Sequence, residues 1–306
     1  MTAAFPRTLH ITVLAGGPSA ERAVSLDSGR AVAEALSERG HDVLLADVAP
    51  DNLAALDRAA DVVFPALHGT FGEDGTIQRI MEERGIRFVG SGSVASALAM
   101  DKVATKRIAE EIGIPTPAYE VAGSDWALCR VGIPLPVIVK PIAEGSSVAT
   151  TIVRDLKALT PAVATVIARY GQALVERYIV GDELTVGILG DQTLPPICIR
   201  PSREFYDYEA KYHDDHTEYL FETGHPSALL EQGAELSRRI FARLGCRHLA
   251  RVDWMVDRNE RLWLLEVNTL PGFTCHSLVP KAAVHAGIPF GDLVERLVRM
   301  ALEDLP

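Results

Sequence analysis

The sequence predicts an α/β fold followed by an α+β region, and three observations carry this prediction. The first hundred residues alternate short apolar strands with helical segments, a pattern typical of a parallel sheet covered on both faces. After Pro117 the pattern changes to strands rich in β-branched residues with one helix among them. The length of 306 residues corresponds to about two domains of roughly 150 residues, or to three small ones.

The composition excludes several classes of protein. A hydrophobic fraction of 48% can fill true cores, which argues against disorder and against a small disulfide scaffold. There are 30 basic and 41 acidic side chains, which gives a net charge of −11. This balance argues against a nucleic-acid binder, because such proteins need a basic face. The four cysteines form no CxxC pair, so we expect reduced thiols in a cytoplasmic protein. No apolar run approaches the roughly 18 residues of a membrane span.

In the first hundred residues we predict strands at residues 9–15, 43–48, 62–67 and 87–89. Asp27 or Ser28 is the expected cap of a helix that runs to Arg39, and Gly40 is a suitable C-terminal stop. Functional loops of parallel sheets lie at the carboxyl ends of the strands. The loops at residues 16–25 and 68–75 have that position.

A second group of elements follows. We predict a helix from Asp101 that stops at Gly113, strands at 137–140, 147–153, 173–178 and 184–189, and a helix at 156–170. The last part predicts a helix at 229–244, two strands and a closing helix from Phe290.

The two last strands carry the most informative polar cluster. If their hairpin is centred between Arg258 and Asn259, Arg251 faces Glu266 and Asp253 faces Leu264. Alternation then places Arg251, Asp253, Glu266 and Asn268 on one face. Two carboxylates and a carboxamide suit Mg²⁺ or Mn²⁺, and the arginine could neutralise a phosphoryl group. A solvated cross-strand ion pair is the alternative, and a three-residue loop without a bulge would split the cluster.

Two further segments favour a phosphate site. Lys140 ends a strand, and the Gly145-Ser146-Ser147 turn after it offers backbone N–H groups and hydroxyls. Neither the GxxxxGK[ST] loop nor GxGxxG is present, so a Rossmann dehydrogenase, suggested by the first hundred residues alone, is not favoured. The polar aromatic residues 205–212 indicate either a loop that folds over a site or a surface loop with amphipathic tyrosines.

Taken in order, these segments resemble the D-alanine–D-alanine ligase family of ATP-grasp enzymes. The resemblance runs from about residue 11 to about residue 302 and is carried by residues 16–26, 68–75, 90–92, 99–102, 144–148, 206–212, 266–269 and 277–280. Residues 206–212 and 268–274 are specific to this family within the ATP-grasp class.

The resemblance implies a three-domain ATP-grasp fold. An N-terminal parallel α/β domain at 1–97 would hold the first D-alanine. A central domain at 98–182 and a C-terminal domain at 183–306, with the metal site and a mobile loop, would enclose ATP. A homodimer is also expected from the family.

The resemblance also implies roles for individual residues. The ATP ligands would be Lys102, Lys140, Lys211, Glu176, Arg177, Tyr178, Ile179 and Glu183. The ligands of two Mg²⁺ (or Mn²⁺) would be Asp253, Glu266 and Asn268. The D-alanine ligands would be Glu21, His68, Ser277 and Leu278. The catalytic groups would be Glu21, Ser146, Tyr212, Arg251, Gly272 and Ser277.

The implied reaction activates one D-alanine carboxylate as an acyl phosphate, which the amine of a second D-alanine attacks. The sequence departs from the family pattern at Arg22-Ala23, Ala149, Leu270 and Leu220-Phe221-Glu222. Ala149 would be strained if this position needs a positive φ.

Three related activities stay open at this point. A D-alanine–D-lactate (or D-serine) ligase would alter the mobile loop, where Lys211 and Tyr212 instead favour an amine acceptor. Another ATP-grasp ligase would have no reason to combine Glu21, Tyr212 and Ser277. An ATP-binding protein without ligase activity would not need Arg251.

Overall fold

Three β-sheets form the framework of the computed structural model, which describes residues 7–124, 132–201 and 216–304. The first sheet is parallel, with strand order β2-β1-β3. Its strands are β1 (His10–Gly16), β2 (Asp42–Val48) and β3 (Val62–Pro65). The carboxyl ends of β1 and β3 lead into the two loops that the sequence singled out, so both loops lie at one edge of this sheet.

The second sheet is antiparallel, with order β4-β7-β5-β6. Its strands are β4 (Tyr119–Ala122), β5 (Val137–Lys140), β6 (Thr151–Val153) and β7 (Ala173–Arg177). The predicted strand at 147–153 is shorter than expected, because residues 146–149 form a tight turn with three positive φ angles.

The third sheet is also antiparallel, with order β11-β10-β8-β12-β13 and β9 paired to β8. Its strands are β8 (Gly181–Leu189), β9 (Gln192–Thr193), β10 (Ile197–Arg200), β11 (Glu218–Leu220), β12 (Leu249–Asp257) and β13 (Leu262–Asn268). The predicted α/β fold followed by α+β structure is therefore confirmed.

The helices cover these sheets and join them. They are α1 (Arg22–Glu38), α2 (Thr76–Glu83), α3 (Ser93–Met100), α4 (Lys102–Glu111), α5 (Leu156–Tyr170), α6 (Ser227–Leu244), α7 (Leu278–His285) and α8 (Phe290–Glu303). Within the described ranges, none of them is long and apolar enough to cross a membrane.

Two sequence predictions about the N-terminal part of the fold are wrong. The helix predicted to begin near Asp27 or Ser28 begins at Arg22, and Glu21 occupies its N-cap position. Ser28 is instead buried inside the helix and accepts a hydrogen bond from the N–H of Phe273. The predicted strand at 87–89 is reduced to an isolated bridge between Phe88 and Val63.

Helix α4 begins as the sequence predicts. The Asp101 carboxylate accepts hydrogen bonds from the N–H groups of Val103 and Ala104, both at 2.9 Å. This cap satisfies backbone donors at the helix start. Lys102 becomes the first helical residue, and Lys106 lies on the same helix face four residues later.

The core of the first sheet is completed by the end of the chain. Val13 and Phe64 belong to one buried cluster with Leu293 and Leu297 of α8, and Phe64 contacts Phe273 with ring centroids 5.3 Å apart. The second and third sheets bury separate apolar clusters beneath α5 and α6.

Candidate active site

Two clefts meet at one shared wall. The smaller has a volume of about 100 Å³ and the larger a volume of about 410 Å³. The side chains that line both are Lys102, Glu144, Glu183, Ile199, Asp253 and Glu266. Every predicted site residue that lies in the described ranges lines one of the two clefts. Chemistry at the shared wall can therefore act on molecules bound in both.

The shared wall is built by the hairpin of β12 and β13. Arg251 pairs with Asn268 and Asp253 pairs with Glu266, so the predicted facing of Arg251 with Glu266 and of Asp253 with Leu264 is wrong. The loop comprises only residues 258–260, and the register shifts between Asp253 and Trp254, where Leu265 is the extra residue. This bulge restores the common face that such a loop would otherwise split.

The carboxylates of this wall are held by positive and polar neighbours. Arg251 donates to both oxygens of Asp253, with its Nη2 at 2.8 Å from Oδ2. The Thr185 hydroxyl donates to Asp253 Oδ1 at 2.6 Å. Lys102 Nζ lies 3.2 Å from Glu266 Oε2 and donates to the carbonyl oxygen of Glu144 at 2.6 Å.

The donor set of this face fits a hard divalent cation. Asp253 and Glu266 are direct cross-strand partners, and Asn268 adds an amide oxygen that accepts from the N–H of Leu270 at 2.9 Å. Oxygen ligands of this kind suit Mg²⁺ or Mn²⁺. Asp253 is only 4% exposed, so a cation there would offset the cost of burying its negative charge.

The floor of the larger cleft carries a buried ion cluster. Glu176 Oε2 lies 2.8 Å from Lys106 Nζ and 3.2 Å from Lys140 Nζ. Burial lowers the pKa of Lys106 to about 8, although Glu176 opposes this shift. The two ammonium groups outweigh the effect of burial on Glu176 and hold its pKa below the usual value. Glu176 is thus a fixed, charged acceptor at the cleft.

The chain that follows Glu176 forms one side of the same cleft. Arg177 and Tyr178 donate their backbone N–H groups to the carbonyl oxygens of Ala118 and Pro136, at 2.9 and 3.1 Å. Ile179 is buried beside them and Glu183 lines the cleft from β8. This side of the larger cleft thus combines apolar and polar groups, a lining common in small-molecule sites.

The smaller cleft contains a buried contact between two distant segments. The Ser146 hydroxyl donates to Glu21 Oε1, and a Cβ added to Gly145 would lie 3.2 Å from Glu21 Oε2. Both Glu21 and Ser146 are buried. The Gly-Ser-Ser turn of the second sheet is thereby joined to the start of α1.

His68 lies next to Glu21 in a hydrogen-bonded chain. Its Nδ1 lies 3.1 Å from Glu73 Oε1, and its Nε2 lies 3.5 Å from the Ser28 hydroxyl. Burial raises the pKa of Glu73, and the nearby Glu21 carboxylate adds to this shift. The chain fixes the His68 ring at the edge of the parallel sheet.

The opposite end of the smaller cleft is formed by the start of α7. Ser277 occupies the N-cap position and Leu278 is the first helical residue. The Ser277 hydroxyl accepts from the N–H of Thr274 at 3.0 Å. A Cβ added to Gly272 would lie 2.6 Å from Ser277 Oγ, so a larger residue here would displace the Ser277 hydroxyl. A helix N-terminus with a nearby hydroxyl suits a carboxylate ligand.

The predicted residues Lys211 and Tyr212, and the rest of the predicted loop at 205–212, lie outside the described ranges. Their placement relative to the clefts stays a prediction from the sequence.

Two parts of the chain match models of known protein families. Residues 48–91 match the family model described as "D-ala D-ala ligase N-terminus", and residues 108–299 match "D-ala D-ala ligase C-terminus". The chain is 46% identical to a D-alanine–D-alanine ligase of Chromohalobacter salexigens, over 94% of this chain and 93% of that protein. The chain belongs to the D-alanine–D-alanine ligase family.

Solved structures of D-alanine–D-alanine ligases share the fold. The Bacillus anthracis enzyme superimposes with a TM-score of 0.88 at 34% identity, covering 96% of this chain and 98% of that one. Its complex with ATP superimposes with a TM-score of 0.86 at 33% identity, covering 97% of each chain. The resemblance inferred from the sequence motifs is thereby confirmed.

The structure shows the environment of three positions that depart from the pattern of D-alanine–D-alanine ligases. Ala149 has a φ of +53°, which confirms the condition under which strain was expected. Arg22 donates to Asp47 at 2.8 Å. Leu270 is buried, and a Cβ added to Gly90 would lie 3.3 Å from its side chain.

Several polar residues of this ligase site escaped the sequence analysis. They are Ser28, Glu73, Lys106 and Thr185. Lys106 follows Lys102 by four residues in one helix, and this spacing was a usable signal. Ser28, Glu73 and Thr185 are recognisable only from the tertiary contacts that bring them to His68 and Asp253.

Proposed function

We propose that this protein joins two D-alanines to D-alanyl-D-alanine at the expense of ATP, for peptidoglycan precursor synthesis and hence cell-wall biogenesis and cell shape. The observation that carries the proposal is the shared wall of Asp253 and Glu266 between a cleft large enough for a nucleotide and a smaller polar cleft. Membership of the D-alanine–D-alanine ligase family supports the same reaction.

ATP occupies the larger cleft in this proposal. Glu176, Arg177, Tyr178 and Ile179 bind the adenine and Glu183 binds the ribose. Lys102 and Lys140 hold the phosphates. Lys211, which the sequence resemblance adds to this set, is the third phosphate ligand. The contact of Lys102 with Glu266 supports this placement, because it puts an ammonium group at the junction of the two clefts.

Asp253, Glu266 and Asn268 are the proposed ligands of two Mg²⁺ (or Mn²⁺). When bound, such ions neutralise phosphate charge during phosphoryl transfer. The protein's own groups orient the reactants around this position. Arg251 is held on the same face by Asp253, where its remaining N–H groups can stabilise a developing oxyanion.

The two D-alanines occupy the smaller cleft. Glu21 receives the ammonium group of the first, with His68 beside it, and Ser277 and Leu278 bind the carboxylate of the second. The carboxylate of the first attacks the γ-phosphate of ATP, releasing ADP and forming an acyl phosphate.

The amine of the second D-alanine then attacks the acyl carbon. The tetrahedral intermediate is stabilised by Arg251 and the N–H of Gly272 before the C–O bond to phosphate breaks and inorganic phosphate leaves. Ser146 and Tyr212 are proposed to join Glu21 in closing the loop over the site, which would protect the acyl phosphate from water. The Ser146–Glu21 hydrogen bond supports the first half of that link.

The three-domain division at residues 1–97, 98–182 and 183–306 is part of the proposal. It is supported by the three sheets, which fall within residues 10–65, 119–177 and 181–268, so that only the first two residues of the third sheet precede its proposed boundary. A cytoplasmic location is proposed from the cysteine pattern, which contains no CxxC pair, and a homodimer is proposed from the family alone.

Incubation of the protein with Mg-ATP and D-alanine tests the proposal directly. We expect one phosphate per D-alanyl-D-alanine, measured by phosphate release and mass spectrometry. L-alanine is the stereochemical control and should give neither product.

Alternative acceptors are tested by adding D-lactate or D-serine to the same reaction. A dominant D-alanyl-D-lactate or D-alanyl-D-serine product would replace the proposed acceptor. ATP binding without phosphate release under all conditions would contradict ligase activity altogether.

A further inference from the structure

A cluster of three potential metal ligands lies on the face of the third sheet that packs against α6. Asp182 comes from β8, Cys198 from β10, and His225 from the segment between β11 and α6. One ligand atom from each lies within 4.8 Å of the other two. Among the described residues, this is the group in which histidine, cysteine and carboxylate ligand atoms converge.

The sheet register explains why Asp182 and Cys198 meet. Cys198 pairs with Leu184 of β8, so Asp182, two residues earlier, is its diagonal neighbour on the same face. Glu183 and Ile199 alternate to the other face and line the larger cleft. Asp182 also lines this cleft, whereas Cys198 is buried on the face beneath α6. The cluster therefore adjoins the nucleotide cleft and includes neither Asp253 nor Glu266.

We propose that Asp182, Cys198 and His225 bind a zinc ion, with a water molecule as the fourth ligand. A thiolate, an imidazole and a carboxylate form a mixed set that zinc accepts in tetrahedral sites. His225 Nε2 lies 3.3 Å from Asp182 Oδ2. Zinc bonds of about 2.0–2.1 Å give a tetrahedral edge of about 3.3–3.4 Å between nitrogen and oxygen.

The burial of the ligands supports zinc over a weakly held surface ion. Cys198 is fully buried and His225 is largely buried, whereas Asp182 is half-exposed and opens a path for entry. Within the described part of the chain, His225 Nε2 is buried and makes no hydrogen bond beyond its contact with Asp182 Oδ2. On binding, the proton of the Cys198 thiol passes to solvent, because zinc coordinates the thiolate.

One neighbouring cation competes with the metal. Arg200 is exposed. Burial and the Asp182 carboxylate raise the pKa of the Cys198 thiol, and the nearby Arg200 guanidinium opposes this shift. The guanidinium thus favours the thiolate but repels a zinc ion at the same position. Removal of this charge should therefore tighten metal binding, while removal of a ligand should weaken it.

Cobalt(II) titration of the purified, reduced protein, followed by zinc competition, tests the proposal. Cobalt in a tetrahedral thiolate site has a sulfur-to-metal charge-transfer band that an all-oxygen site lacks, so the Asp253–Glu266 face does not contribute. We expect about one equivalent of thiolate-bound cobalt, displaced by one equivalent of zinc. Cys198→Ser should remove the band.

His225→Gln and Asp182→Asn keep the thiol and guard against misfolding of the Cys198 variant. Each should weaken zinc affinity at least about tenfold, the loss that follows even from changing a residue behind a ligand. Arg200→Gln should strengthen it. Cys246→Ser and Cys275→Ser are matched controls, because Cys246 is buried elsewhere and Cys275 is exposed, and both should keep the band.

The proposal is overturned if cobalt gives no charge-transfer band, or if the band survives in Cys198→Ser. It is also overturned if His225→Gln and Asp182→Asn bind zinc as tightly as the unchanged protein. All these readouts are independent of ligase activity, so they separate the metal proposal from the proposed function.

Discussion

Individual side chains at the shared wall carry the proposed chemistry. Glu266 faces Asp253 across the hairpin and contacts Lys102 at the junction of the two clefts. It is therefore placed to hold the proposed metal and to position Lys102, the proposed phosphate ligand. These contacts depend on the negative charge of Glu266 more than on the size of its side chain.

We expect Glu266→Gln to reduce turnover by at least about 100-fold, comparable to the loss of one strong electrostatic contact in a transition state. The reason is that glutamine keeps the volume but removes the charge. The measurement is phosphate release at saturating Mg-ATP and D-alanine, with the unfolding midpoint as the folding control. Near-normal turnover in a folded variant would refute the assignment of Glu266.

Lys106 lies behind the floor of the larger cleft, next to Glu176. It is fully buried and contacts Glu176, and its ammonium also donates to the Thr116 hydroxyl at 2.6 Å. Removing one partner of a buried ion pair leaves the other without full compensation. Glu176 keeps Lys140 as a second partner, so part of the loss is offset.

We expect Lys106→Met to lower the free energy of unfolding by about 3 kcal/mol, at the lower end for broken buried pairs, and to raise KM for ATP more than it lowers kcat. Urea denaturation and steady-state kinetics measure the two effects. Lys106→Met combined with Glu176→Gln should be more stable than Lys106→Met alone. A double variant that is less stable would show that Glu176 does not depend on Lys106.

At the scale of elements, the third sheet depends on close approach of β8 and β12. A Cβ added to Gly181 would lie 1.8 Å from the carbonyl oxygen of Val256, within the stretch where these strands pair. The same stretch of β8 carries Asp182 and Glu183. The start of this strand therefore has little freedom to move.

We expect Gly181→Ala to cost about 2–3 kcal/mol of stability, because the clash is with backbone and forces the strands apart. Gly132→Ala is the matched control, since among the described residues its added Cβ would meet only the flexible Glu120 carboxylate, at 3.4 Å. Thermal unfolding of both variants checks this. Equal midpoints for the two would contradict the packing described for β8 and β12.

Elements with local signals were predictable from the sequence, and those that depend on distant contacts were not. Helix α5 and the start of α8 have the predicted bounds, because the Asp155 cap of α5 and the apolar spacing of both helices are local signals. The start of α1 was misjudged because Ser28, a good capping residue, is used inside the helix to hold Phe273.

The same distinction applies to the candidate site. The common face of Asp253, Glu266 and Asn268 followed from strand alternation. The register did not, because the bulge at Leu265 compensates for a short loop whose length the sequence leaves open. Lys106 was missed although it follows Lys102 by four residues, because its partner Glu176 lies on β7, distant in the sequence.

At the scale of the whole molecule, the two ends of the chain depend on each other. Arg39 at the end of α1 forms ion pairs with Asp292 and Glu295 of α8. His248 Nδ1 accepts from the N–H of Gly90 at 2.9 Å, and its Nε2 lies 3.0 Å from Asp304 Oδ2. These contacts join the N-terminal sheet to the C-terminal part that carries the shared wall.

The His248 contact predicts a pH dependence of stability. Burial lowers the pKa of His248 in the folded protein, only partly offset by Asp304. The unfolded chain therefore binds more protons near its ordinary pKa of about 6.5, so the stabilisation is present above that pH and is lost as pH falls below it.

Urea denaturation of the unchanged protein and of His248→Gln, between about pH 5.5 and pH 7.5, measures this effect. We expect the free energy of unfolding to fall toward low pH in both, because His41 has a pKa lowered by burial as well. The fall should be smaller in His248→Gln. An identical slope in the two proteins would exclude His248 as a contributor.

The central claim is that the two clefts exchange a phosphoryl group across their shared wall, and an isotope experiment tests it most directly. D-alanine labelled with oxygen-18 in its carboxylate would react with Mg-ATP, and the released phosphate would be analysed by mass spectrometry. Ligation through an acyl phosphate predicts one labelled oxygen in each phosphate that accompanies D-alanyl-D-alanine. Unlabelled phosphate would contradict the account, because it would mean that water, and not the D-alanine carboxylate, receives the phosphoryl group.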